Sequence, residues 1–430
     1  MKRSLATRSC FPIFFAFLVA FIALSSVQAE TVAEHQQIIT LESLIADVLK
    51  NNAELQYYKS EIAEAKGEHT TAGVWSNPEL SSAYGKKRVS TNSGDESGAA
   101  WTISIQQTFE WPGRIELRKL IASKQLELAK LGLTQFESAL VSKARILAYD
   151  IQVSQEKVDA TKGVTSRYKD LKDVLSKREI AGVTPLLEKR IIEASSLSLE
   201  RKANEIELAR KFAILKLNEL RGRSGTADIK IKTTKLDMVA PPPSEILIAA
   251  ARSNDFELRL RQTQLEQQRL KVNLAKNERY PAVSVGPYFA QERVGNKEMQ
   301  IGIGLSLPLP FWNRNSGQIV SEEARKQQAA SALLVAQRDI ERQVIEALET
   351  FNTKMSEMKR WSEDTLTEFN EAARLSDEHF RLGAVPIATY VELQKQYLEA
   401  VDAIFSIRRE VFAAKQELER LTGLKFGNSL

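Results

Sequence analysis

The chain has 430 residues, 43% hydrophobic and 27% charged, with 60 Lys and Arg against 55 Asp and Glu for a formal charge of +5. Three basic residues (Lys2, Arg3, Arg8) and no acidic ones fall in the first 29 positions. The remainder therefore carries 5 − 3 = +2, too little for its size to suit a nucleic-acid partner. The one cysteine, Cys10, lies in the same stretch, so the rest of the chain has neither disulfides nor thiolate metal ligands.

Residues 1–29 read as a secretory signal peptide. A basic start precedes an apolar run from Phe11 to Leu24, broken only by Pro12, and Val27-Gln28-Ala29 is a small-residue cleavage pattern. Cleavage is expected after Ala29, and Cys10 lacks the small-residue context of a lipidation site. No apolar run beyond residue 30 has the length of a membrane helix. If the mature chain crosses a bilayer it must do so as a closed β-barrel, because lipid cannot satisfy a free backbone group.

From there the chain is written twice. The first repeat covers 30–222, a linker 223–243 and the second repeat 244–430. Asn51 and Leu55 recur as Asn254 and Leu258, and Gly182 and Gly222 as Gly383 and Gly423. A helix is expected over 41–73, where Leu41, Leu44, Ile45, Val48 and Leu49 share a face. Trp75-Ser76-Asn77-Pro78 ends it, as Glu278-Arg279-Tyr280-Pro281 ends its counterpart. Strands are expected at Leu80–Gly85 and Trp101–Phe109, with a polar loop from Lys86 to Gly98 between them. Their counterparts are Ala282–Phe289 and Met299–Leu307, around a loop from Gln291 to Glu298. Residues 113–180 are helical by pattern, roughly 100 Å of helix, a length that only a coiled coil, a fibre or a tube wall uses. In the second repeat Val344, Leu348, Phe351, Met355 and Met358 alternate four- and three-residue steps, a coiled-coil seam.

The β segments are the sharper signal. Trp101, Ile103, Ile105, Gln107 and Phe109 alternate with Thr102, Ser104, Gln106 and Thr108, and Met299, Ile301, Ile303, Leu305 and Leu307 with Gln300, Gly302, Gly304 and Ser306. An apolar face toward lipid and a polar face toward water is the pattern of a membrane barrel. Trp75, Trp101, Trp111 and Trp312 lie near strand ends, where an aromatic girdle belongs; the alternative is a small helix–sheet core. Four strands cannot close a barrel, for which about eight is the minimum. A homotrimer would supply twelve. The fold class is therefore mainly α with a small membrane β-barrel: long coiled-coil helices plus four β-strands per protomer, twelve strands in a trimer.

No enzyme site is apparent. His35, His69 and His379 have no ligand at a metal spacing, the Met residues are scattered, and phosphate loops and nucleophile elbows are absent. No cofactor is expected.

The tandem repeat, Trp75-Ser76-Asn77-Pro78-Glu79-Leu80 and Gln107-Thr108-Phe109-Glu110-Trp111-Pro112-Gly113-Arg114 resemble TolC-type outer membrane efflux proteins. So do Leu305 to Gly317 and the Gly182-Val183-Thr184-Pro185 break. The Pro-Leu-Pro-Phe-x-Asn-Arg-Asn-x-Gly stretch is similar to the heavy-metal (cobalt–zinc–cadmium, CzcC-like) branch. The resemblance spans the mature chain. It implies a homotrimeric channel-tunnel in the cell outer membrane, its helices closing a long coiled-coil α-helical barrel in the periplasm, coupled to a periplasmic adaptor (membrane fusion) protein and an inner-membrane pump of RND type. Its cargo would be metal cations or small toxic compounds.

The two tips, Gly182-Val183-Thr184-Pro185 and Gly383-Ala384-Val385-Pro386, put Gly at a helix end and Pro at the next start, sufficient for a tight turn. The resemblance adds adaptor docking. It also implies two inward acidic positions closing the entrance. These fall on Thr389 and Glu392, only one of them acidic, and the family's tip arginine falls on Val385. Glu392 is otherwise a solvated helix charge. Glu188 and Glu392 stand at different offsets behind their tips, so the rim should be threefold, not sixfold. Two other readings remain: the outer channel of a type I protein secretion system, and a soluble periplasmic coiled-coil scaffold.

Overall fold

The computed structural model describes residues 38–92, 94–177, 183–225, 229–232, 239–361 and 363–426. The expected signal peptide, Gly182 and the side chains of Val183, Thr184 and Pro185 lie outside the described residues.

The first repeat contains β1 (Ile38–Ile39), α1 (Leu41–Asn51), α2 (Glu54–Ala72), β2 (Glu79–Thr91), β3 (Gly94–Phe109), α3 (Arg114–Lys177) and α4 (Val183–Leu220). After β4 (Lys230–Ile231), which pairs in parallel with β1, the second repeat runs α5 (Ser244–Asn254), α6 (Phe256–Asn277), β5 (Val283–Val294), β6 (Asn296–Ser306), α7 (Ser316–Arg360), α8 (Glu363–Arg381) and α9 (Ile387–Thr422). No described helix is long and apolar enough to cross a membrane.

Two hydrophobic clusters organise the helices. One cluster unites α1, α3 and α4 through Leu44, Val48, Leu140, Ala144, Ile151, Leu217 and Leu220, with Leu55 of α2. A second unites α5, α6, α7 and α9 through Leu247, Ala251, Leu258, Ile340, Val344, Phe351, Leu418 and Leu421. The offsets are 203 for Leu44, Val48 and Leu55, 200 for the α3–α7 matches and 201 for the α4–α9 matches. The coiled-coil seam is real: Val344 and Phe351 are buried and Leu348, Met355 and Met358 pack beside them. The α3 helix runs unbroken through Gly132 and Gly163 for 64 residues, about 96 Å at 1.5 Å per residue.

Glycines close both repeats. Gly222 (φ +62°) and Gly423 (φ +68°) end α4 and α9 in the left-handed conformation, and a Cβ on Gly222 would stand 2.6 Å from the Asn51 carbonyl oxygen. Beside them Asn52 donates to the Leu220 carbonyl (3.1 Å) and Asn254 to the Thr422 carbonyl (3.0 Å), each 168 residues away. Asn51 and Asn254 match as last residues of their helices, but in the first repeat this bond belongs to Asn52, and Asn51 turns to Asp47 instead.

The structure corrects two sequence expectations. The 41–73 helix is broken at Asn52-Ala53, because the Asn52 side chain accepts from the Glu54 amide and starts a second helix. The stretches 86–98 and 291–298 are not loops. They are paired strand almost throughout, Lys86 opposite Ala99 and Glu292 opposite Glu298, reversing near Asn92 and at Gly295. Both faces there are polar, so no alternation revealed them. The two halves also differ from each other: α7 breaks after Arg360, where Trp361 leaves helical geometry (φ −102°, ψ 79°), whereas α3 runs on.

Candidate functional site

The sheet runs β2-β3-β5-β6, antiparallel throughout, with β2 and β6 at open edges. Register puts Leu80 opposite Ile105, Tyr84 opposite Trp101, Ile103 opposite Phe289, and Phe289 opposite Ile301. One face thus carries Leu80, Tyr84, Trp101, Ile103, Ile105, Phe109, Ile301, Ile303 and Leu305. The other carries Ser81, Ala83, Thr102, Ser104, Gln106, Ser284, Gly302, Gly304 and Ser306. The apolar face has nothing packed on it: Ile301 and Ile303 are 78% and 79% exposed. Such a surface in water would cost about 25 cal/mol for every Å² left wet, which an encircling bilayer removes.

On the polar face Thr108 and Ser284 are joined by a 2.9 Å hydrogen bond, Lys87 pairs with Glu292 across β3, and Tyr288 lies over Gly302. Strand β5 is central yet contains Gly286-Pro287. Proline removes a ladder donor, and pairing with β3 lapses there while the Gly286 backbone closes on the Ile105 carbonyl.

The aromatic residues form two bands. Trp75 meets Phe109 edge-on (5.8 Å), and Trp111 stacks on Tyr280 (4.7 Å), at the helical end of the sheet. Trp101, with Tyr84 opposite, stands ten residues up the chain from Trp111. Ten extended residues span roughly 33 Å, or about 25 Å along the axis of a barrel tilted near 40°, the height of a membrane band. Trp312 lies outside the sheet, beyond Ser306 in the turn to α7, and is 96% exposed.

At the opposite end, Gly383 (φ +74°) closes α8 in a Schellman turn: its amide bonds to the Phe380 carbonyl and that of Ala384 to the His379 carbonyl, both at 2.9 Å. Pro386 then sits at the start of α9. Gly383, Ala384 and Pro386 are exposed and Val385 is half-buried. The first tip is described from Val183, where α4 begins, so Pro185 lies in its first turn. Sequence reasoning missed an apolar surface behind the turns. Leu382, Leu186, Leu187 and Ile191 are exposed beside both tips. Thr389 and Glu392 are exposed on α9, Glu392 accepting from Gln396 (3.1 Å), and Glu188 is half-buried on α4.

Behind this rim, Tyr168 of α3, Phe380 of α8 and Tyr390 of α9 form a buried aromatic cluster. Tyr390 stacks on Phe380 at 5.2 Å, and burial pushes the Tyr168 hydroxyl up to about 12. Next to it the fully buried Gln394 accepts from Arg167 of α3 (3.2 Å) and donates to Ser376 of α8 (3.2 Å) and to the Ala373 carbonyl. The sequence pattern gave no sign of this polar pin, since a lone Gln on a helix reads as solvent-facing.

A sheet apolar on one face and polar on the other, continuous with helical staves near 100 Å long, is the architecture of outer membrane channels with a helical periplasmic tunnel. Residues 247–424 match the model of the outer membrane efflux protein family. Over 391 residues the chain is 21% identical to the cobalt–zinc–cadmium resistance protein CzcC of Cupriavidus metallidurans, covering 90% of each chain. The fold is shared with a membrane protein from Pseudomonas aeruginosa (18% identity, TM-score 0.74, 89% and 93% covered). It is shared also with the CmeC outer membrane channel of Campylobacter jejuni (14%, 0.72, 90% and 86%). The matched domain and the shared fold are those of outer membrane efflux channels, and the chain resembles the TolC type over most of its length. Its place is the outer membrane, with its helices in the periplasm, and not the soluble periplasm of the scaffold reading.

Proposed function

We propose that three copies of this chain close a twelve-stranded barrel above a helical tunnel, forming the exit duct of a tripartite pump. A periplasmic adaptor and an inner-membrane pump of RND type would load it with metal cations or small toxic compounds. The single observation that carries this reading is the protomer's two open edges. Strands β2 and β6 are each paired on one side only, and four strands are too few to close. Similarity to CzcC over 90% of both chains supports metal cations as the cargo.

In this reading 30–222 and 244–430 are the two repeats and 223–243 their linker. The tips at 182–185 and 383–386 dock the adaptor, their small residues admitting close approach and Leu382, Leu187 and Ile191 supplying the apolar contact. Glu392, with Thr389 one turn before it and Glu188 behind the first tip, lines the entrance. Three Glu392 carboxylates at a constriction favour cations and repel one another. Opening is a change between two packings of the same helical pairs.

The test is loss of the gene in its host, followed by growth on cobalt, zinc and cadmium. The reading predicts sensitivity that the intact gene reverses. Unchanged metal tolerance alongside sensitivity to organic toxicants would assign the other cargo, and unchanged tolerance to both would overturn the pump reading.

A further inference from the structure

The junction between sheet and helix occurs twice in each protomer, with a Trp and an Arg in common but different fates. After β3 the chain reads Glu110-Trp111-Pro112-Gly113-Arg114, and after β6 Phe311-Trp312-Asn313-Arg314; the Trp residues are 201 apart and the Arg residues 200. In the first copy both the Trp and the Arg are engaged within the chain. Trp111 stacks on Tyr280. Arg114 donates to the Asn277 side chain (3.0 Å) and to the carbonyls of Asn277 (3.1 Å) and Tyr280 (2.6 Å), while the Asn277 amide answers to the Pro112 carbonyl (2.9 Å). This joint locks the β3–α3 corner onto the next corner, α6–β5.

In the second copy the Trp and Arg make no such joint: among the described residues Trp312 meets only its neighbour Phe311, edge-on at 6.2 Å. Trp312 is 96% exposed, and Arg314, also exposed, makes no hydrogen bond or ion pair with any described residue. Yet the corner is held in place: Asn315 adopts φ +59° and its side chain donates to the Ala275 carbonyl of α6 (2.9 Å). The corner lies at the protomer's edge, because β6 is an edge strand and α7 leads away from it.

The other edge carries the missing half of the joint. The α6–β5 corner, Glu278-Arg279-Tyr280-Pro281, matches the α2–β2 corner, Trp75-Ser76-Asn77-Pro78, at an offset of 203. Asn277 and Tyr280 therefore correspond to 277 − 203 = Val74 and 280 − 203 = Asn77. Val74, Trp75 and Asn77 are exposed, and no described group donates to the Val74 or Asn77 carbonyl.

We propose that Arg314 and Trp312 of one subunit clasp the 74–78 turn of the neighbouring subunit, with Arg314 donating to the carbonyls of Val74 and Asn77. The joint inside each protomer is the template for the joint between protomers. The copy is incomplete: Val74 has no side-chain amide to return the bond that Asn277 makes to Pro112, so the clasp between subunits is the weaker and rests on Arg314. A charged donor spanning two carbonyls is matched by the geometry Arg114 already shows. The inference rests on the trimer reading and names the contact that register alone leaves open.

The test uses the full chain extracted from membranes, in a Cys10→Ser background, with native mass spectrometry fixing the number of copies. Cysteines replacing Arg314 and Asn77 are then treated with a short bismaleimide. Covalent dimers and trimers from the double variant, and none from either single variant, are expected. Independently, Arg314→Gln should move the subunit equilibrium toward monomer by about tenfold for each clasp lost, with Arg314→Lys recovering part. Trimers that give no intersubunit cross-link, or whose dissociation Arg314→Gln leaves unmoved, overturn the clasp and spare the trimer. A monomer or dimer by mass overturns the trimer itself.

Discussion

Placing a charge at Ile303 tests the sidedness of the sheet. Ile303 sits in the middle of the apolar run from Met299 to Leu307, faces away from Gly302 and Gly304, and is 79% exposed in the protomer. An arginine at the mid-depth of a membrane barrel's lipid face costs about 2–4 kcal/mol. Three copies in one barrel put the loss at roughly 6–12 kcal/mol, comparable with the whole stability of a domain. Gln300, on the same strand but the opposite face, opposite Ala290, is the control. Gln300→Arg should cost less than about 1 kcal/mol, since an arginine there stays in water. The assay is urea unfolding from lipid vesicles followed by tryptophan fluorescence, with the yield of heat-resistant oligomer in the outer membrane as a second reading. Equal effects of the two substitutions, or a larger one at Gln300, would refute the assignment of faces.

Three further predictions follow from the helices. Gly222→Ala should cost about 2 kcal/mol or more in thermal unfolding, from the left-handed backbone and the Asn51 carbonyl 2.6 Å from the new Cβ. Gly383→Ala, with open space around it, should cost only about 1 kcal/mol; the reverse order would discredit the role of Gly222 in the repeat closure. Gln394→Leu removes the acceptor of Arg167 and the donor to Ala373 and Ser376 in a buried site. It should cost about 1–3 kcal/mol and loosen the entrance end, seen as faster amide exchange in 370–398. Unchanged exchange would show that the pin holds nothing. Burial raises the carboxyl pKa of Asp47, but the hydrogen bonds and charges of Arg221 and Arg223 outweigh it and hold the group below its ordinary value. A lowered carboxylate gives stability that is present above the ordinary range and lost as pH falls through the lowered value, below about pH 4. Asp47→Asn should flatten that acid limb and weaken the fold at neutral pH, because it strands the buried Arg221. An acid limb identical to that of the parent chain would count against it.

The sequence revealed those parts of the fold whose residues face two different media. Ile301 to Leu307 alternates because lipid and water lie on its two sides, whereas Lys86 to Gly98 pairs just as regularly but has no such contrast to record. The Asn52 break was hidden because one polar side chain that ends one helix and starts the next looks like any exposed Asn. The Trp361 break has neither Gly nor Pro to announce it. Of the candidate site, the tip turns were legible from Gly383 and Pro386. Their apolar flank was not, since Leu187, Ile191 and Leu382 at helical spacing read as core. The different fates of Arg114 and Arg314 were beyond sequence altogether, because the same motif is satisfied in one place and left open in the other by position along the protomer's edge.

The central claim is that this chain forms a conduit through the outer membrane, and single-channel recording tests it most directly. Protein purified from outer membranes and inserted into a planar bilayer should give discrete, cation-preferring conductance steps. Divalent cations should block the current, and Glu392→Gln should weaken the block. Bilayers that contain the inserted oligomer and stay silent under every applied voltage and pH would contradict the account.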